Sequence, residues 1–101
     1  MSNPVTDFPW DKAYVNGTGT VYTGPCHLHS IVLNGVTTAG GTITVYDAID
    51  ATDALTIVAV YNIIGASVSY QGITFLYDCK MTTGIHIVFA TAVGNLTVTY
   101  K

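Results

Sequence analysis

"GPCHLHSIVLNG", residues 24–35, is the stretch on which the reading of this chain turns. It sets Cys26, His27 and His29 within four positions, in a chain with two cysteines and three histidines. It could be a metal box, a thiol nucleophile beside its base, or a β-strand. Gly24-Pro25 and Asn34-Gly35 are turn signals, and "HLHSIVL" (27–33) lies between them. On a strand, His27 and His29 share one face about 7 Å apart, and Cys26 faces the other. A zinc site needs two more ligands, and His86, Cys79 and the aspartates offer no second pair at metal spacing. The stretch therefore reads as a strand, and no metal or cofactor is expected.

The same rhythm runs outward from it. "TGTVYT" (18–23) ends at Gly24-Pro25, and "GTITVYD" (41–47) follows Gly40. "ALTIVAVY" (54–61) is apolar on both faces and reads as a central strand. "ASVSYQ" (66–71) and "ITFLYD" (73–78) are divided by Gly72, and "GIHIVFA" (84–90) and "NLTVTY" (95–100) close the chain. Ile43 and Val45 alternate with Thr42 and Thr44, and Leu96, Val98 and Tyr100 with Thr97 and Thr99. Such alternation marks half-buried strands. About eight short strands, with a helix admissible only around 49–54, predict an all-β, antiparallel β-sandwich or jelly-roll-like domain over 18–101. Residues 1–17 show neither period, and Pro4, Phe8, Pro9 and Trp10 interrupt them, so they read as an extended N-terminal arm.

Charge is scarce. Charged residues make up 9% of the chain, against roughly 25% in ordinary domains. They comprise three lysines and six aspartates, with no Arg or Glu. Half of the residues are hydrophobic and mean hydropathy is +0.46, so material for a core is ample. A surface this poor in charge is badly suited to solitude, and association with other subunits is expected. A net charge of −3 without arginine argues against nucleic acid. No apolar run reaches the 18–20 or so residues of a membrane span. "MSNPVTDFPW" lacks the charged and apolar regions of a secretory signal, which points to synthesis in the cytoplasm.

Other candidate sites read as structure. Cys26 has few cations near it in sequence to lower its thiol pKa, so Cys26 and Cys79 are expected as unpaired thiols in a reducing compartment. Asp47, Asp50 and Asp53 lack the order and closing glutamate of a calcium loop and read as turn formers. Asn16 and Asn95 begin glycosylation sequons, which matter only for a secreted chain. No carboxylate pair, nucleophile elbow or phosphate loop stands out, so no catalytic residue is assigned and enzyme is the least supported class.

The succession "LHSIVLNG", "GGTITVYDA", "GITFLYD", "TTGIHIVFA", "NLTVTYK" resembles small β-sandwich proteins of tailed-bacteriophage virions, several of them capsid cement, or decoration, proteins. The resemblance covers about residues 20–101 and rests on strand rhythm and turn placement. It implies a structural viral protein on the capsid surface of the virion, made in the host cytoplasm. It further implies a homotrimer that clasps the major capsid protein. A strap ordered on assembly would suit the aromatic arm, with Phe8, Trp10 and Tyr14 as partner-binding residues. The alternatives are a phage tail or spike component, or a glycan-binding β-sandwich module using Tyr22, Tyr46, Tyr61, Tyr70 and Tyr77.

Overall fold

The computed structural model describes residues 10–38, 40–50, 53–62 and 73–101. Eight strands appear in chain order: β1 (Asp11–Val15), β2 (Gly19–Thr23), β3 (Cys26–Thr38), β4 (Thr42–Tyr46), β5 (Ile57–Asn62), β6 (Ile73–Met81), β7 (Gly84–Ala90) and β8 (Val93–Tyr100). They form two four-stranded antiparallel sheets, ordered β1-β8-β3-β6 and β2-β7-β4-β5. The chain is a β-sandwich.

The alternating residues explain the two layers. Leu28, Ile31, Leu33, Met81, Leu96 and Val98 turn inward from the first sheet. Ile43, Val45, Ile85 and Ile87 meet them from the second. The threonines between them face outward, where Ser30 bonds Thr99 at 2.5 Å and the Asn34 amide donates to Thr97 Oγ1 at 2.9 Å. Burying a large aliphatic side chain contributes about 1.5–3 kcal/mol, so this double row is what holds the sheets together. Where β5 and β6 face each other across the sandwich, Tyr61 stacks on Phe75 at 4.6 Å and its hydroxyl bonds that of Tyr77. Burial, with that bond, pushes the Tyr61 phenol well above its ordinary pKa.

Three details differ from the sequence reading. Asp11–Val15, expected within an extended arm outside the sandwich, is an edge strand paired with β8 from Asp11↔Tyr100 to Val15↔Leu96. Its inward residues are only Ala13 and Val15, and Asp-Lys at its start is a composition suited to an edge. Asn34-Gly35 does not end a strand. β3 runs on to Thr38, and the pair is absorbed as a register shift against β8. "ALTIVAVY" is not central: Ala54–Thr56 form a 3₁₀ turn, and β5 is the outermost described strand of its sheet, with Ile57 and Val60 exposed. The strand expected over 66–71 lies outside the described residues.

Gly41 shows why the β4 entry is tight. Its φ is +83°, and a Cβ there would fall against the backbone of Ala90 and Ala92. Only glycine meets both demands.

Candidate functional site

The outer face of the first sheet carries a cluster built by irregular pairing. Between Leu28 and Ser30 the β3–β6 ladder shifts: His29 alone on β3 lies opposite both Tyr77 and Asp78 on β6. The β3–β8 ladder shifts at the same place, where Leu28 pairs with Tyr100 and Ser30 with Thr99. Asp78 takes a left-handed φ of 48°, a conformation Asp tolerates better than most residues. Such bulges re-aim side chains. Here they bring the Asp78 carboxylate to both histidines. Its Oδ1 lies 2.5 Å from His29 Nδ1 and 3.3 Å from His27 Nε2. The bond with His29, then that with His27, holds the Asp78 carboxyl below its ordinary pKa.

Trp10 flanks the cluster. Its ring stacks on His29 at 4.1 Å with an interplanar angle of 8°, and lies 5.7 Å from the His27 ring. Backbone bonds in both directions between His27 and Lys101 pin the start of β3 to the chain's end. The same face therefore collects residues from β3 and β6 with a residue just ahead of β1.

The sequence reading found no second pair of ligands for the histidines, and the structure brings in a single companion. Asp78 supplies it from 49 positions beyond His29, a separation at which spacing in the chain carries no signal. Two imidazole nitrogens and a carboxylate oxygen lie within 4.8 Å of one another, the only group of its kind among the described residues. His86 is not part of it. It is buried on the second sheet, with Nδ1 3.0 Å from Thr20 Oγ1.

The remaining candidates have local roles. Cys26 and Cys79 are free, half-buried thiols on neighbouring strands. Burial, then the Asp47 charge, pushes both thiols up, which makes them poor nucleophiles. Asp53 caps the 3₁₀ turn through Leu55 N at 3.0 Å. Asp47 accepts from the backbone N–H groups of Thr82, Thr83 and Gly84 at 2.9, 2.7 and 3.2 Å, tying the β4 end to the β6–β7 turn. Partial burial works to raise its carboxyl, but these bonds outweigh it and hold the pKa below the ordinary value.

A pH-dependent stability follows. A carboxyl depressed in the fold contributes above its unfolded value of about 3.9, and that contribution fades as pH falls through the lower folded value. Asp47→Ala should cost about 1–2 kcal/mol near neutrality. In urea titrations the gap between variant and parent should narrow below about pH 4. A gap that stays constant down to acid would mean that the three bonds carry no charge-dependent weight.

Of the aromatic arm residues, Trp10 is engaged with the histidines, Tyr14 stands 66% exposed on β1, and Phe8 lies outside the described residues. The tyrosines suggested for a sugar row are spent on separate contacts. Tyr61 and Tyr77 bond each other, Tyr22 leans on Tyr100 and Tyr46 on His86, while Tyr70 lies outside the described residues.

One large-scale feature was invisible in the sequence order. Asp11, Lys12, Asp47, Asp50, Asp53, Asp78, Lys80 and Lys101 all fall at one end of the sandwich. That end holds the start of β3, the β6–β7 turn and the β4–β5 connection. At the opposite end, the ends of β3, β5 and β7 and the starts of β4, β6 and β8 carry no charged residue. Val60, Ile73 and Val93 are exposed near it. The class these features define is an antiparallel β-sandwich with one charged end and one that is charge-free among the described residues. Compared with protein-family models, curated proteins and solved structures, the chain matches none of them.

Proposed function

We propose that this chain is a bacteriophage capsid cement protein, a homotrimer that binds and stabilises a shell of major capsid protein. The observation that carries this reading is the separation of charge. A protein free in solution gains from charge spread over its whole surface. Here one end has none among the described residues and exposes apolar side chains instead. A surface of that kind suits burial against other subunits, with hydrophobic contacts and hydroxyl bonds in place of ion pairs.

The resemblance of its strand rhythm to virion β-sandwich proteins sets the direction of the proposal, and the repetitive shell supplies its logic. Many weak copies acting together bind firmly without any one strong contact. Trimers match the local three-fold symmetry of an icosahedral shell. The alternative of a spike or glycan-binding module has less support, since the described tyrosines form no common row.

Sedimentation equilibrium across salt concentrations tests the assembly. We expect a trimer at micromolar concentration whose stability barely changes between low and high salt, because few ion pairs can contribute. A monomer at every salt concentration would remove the trimer from the proposal.

A further inference from the structure

We propose that His27, His29 and Asp78 form a binding site for one zinc-class divalent cation, with its fourth coordination position open to solvent. The inference rests on the cluster alone and holds whether or not the chain belongs to a virion.

The donor set selects the ion. Two imidazole nitrogens and one carboxylate oxygen suit Zn²⁺, Co²⁺, Ni²⁺ and Cu²⁺, while Ca²⁺ and Mg²⁺ favour oxygen alone. Three protein ligands leave a tetrahedral ion one vacant position for water.

The geometry is close to what such an ion requires. With bonds of about 2.0–2.1 Å, tetrahedral ligand atoms lie about 3.3–3.4 Å apart. His27 Nε2 and Asp78 Oδ1 are already 3.3 Å apart. His29 Nδ1 and Asp78 Oδ1 are closer, at 2.5 Å, as a hydrogen-bonded pair. A cation replaces that hydrogen bond: this pair spreads by less than about 1 Å, and the two imidazole nitrogens, within 4.8 Å of each other, close by at most about 1.5 Å, both within reach of side-chain rotation.

The site is also held in place. His27 and His29 sit two apart on one strand, and the shift in the β3–β6 ladder fixes Asp78 opposite them. Trp10, lying flat on His29, limits the tilt of that ring. All three ligands remain partly exposed, so an ion can enter without opening the fold. Two lysines flank His27 across its ladders, Lys80 in register on β6 and Lys101 through the reciprocal backbone bonds. Both are exposed, and their long side chains can swing into solvent.

The test uses the full chain, freed of metal by a chelator and titrated with zinc chloride by calorimetry. A parallel titration with cobalt chloride is followed by visible absorption and by fluorescence of Trp10, the chain's one tryptophan. We expect one ion per chain in the micromolar range, tetrahedral cobalt bands, saturable quenching of Trp10, and reversal by zinc but not by calcium. His27→Gln and Asp78→Asn should each weaken binding about tenfold or more, a loss of at least ~1.4 kcal/mol. Asn is tolerated at the left-handed position, and His27 lies on the outer face, so both variants keep the core. Absence of saturable binding up to millimolar zinc would overturn the proposal. So would binding of equal strength in both variants, which would place the ion on other ligands.

Discussion

A chain lacking residues 1–17 should melt far below one lacking only 1–9. The longer deletion removes β1 and bares the edge of β8 from Leu96 to Tyr100. It also removes the inward packing of Val15 and the Trp10 stack on His29. Lost ladder bonds at about 1 kcal/mol each and lost apolar burial are offset by the ordering entropy that the strand no longer costs. The net loss is on the order of 3 kcal/mol, a large share of the roughly 5–15 kcal/mol a domain commonly has. For this length it corresponds to about 12–20 °C in Tm. The bared β8 edge should also promote association, seen as turbidity on heating. Melting of the two truncated chains within about 2 °C of each other would show that β1 adds nothing to the sandwich.

That result bears on how much of the fold was legible. Strands with strict alternation, such as 42–46 and 96–100, showed themselves because the core takes every second residue. β1 did not, since an edge strand of five residues with two small inward contacts leaves no period to read. β5 misled for the opposite reason. Its apolar run has the composition of a central strand, yet pairing order, which no local pattern encodes, puts it outermost among the described strands. Asn34-Gly35 carried a turn signal that tertiary pairing overrode.

The candidate site was half legible. His27 and His29 on one face followed from strand geometry alone. Asp78 could not be found that way, because its position depends on a bulge in a ladder between residues some fifty positions apart. The charge-free end was hidden similarly. The uncharged tracts 13–46, 54–77 and 81–100 are plain in the sequence, but only the antiparallel topology stacks their middles at one end.

If that end is the docking surface, a single charge placed there should act out of proportion to its size. Val93, at the start of β8, is 52% exposed, so Val93→Asp leaves the core untouched. Buried at an interface, an unpaired carboxylate costs several kcal/mol, enough to weaken attachment by about a hundredfold or more. Placed on β1 at the exposed Tyr14, the same charge tests whether that face also touches the shell.

Co-sedimentation with shells assembled from a major capsid protein encoded beside this chain tests the proposed cement role most directly. The protein should pellet with the shells to saturation at one trimer per local three-fold position. It should stay bound from low to high salt and fail to pellet as Val93→Asp. Protein that remains in the supernatant at every concentration, or a Val93→Asp variant that pellets as fully as the parent, would contradict the account.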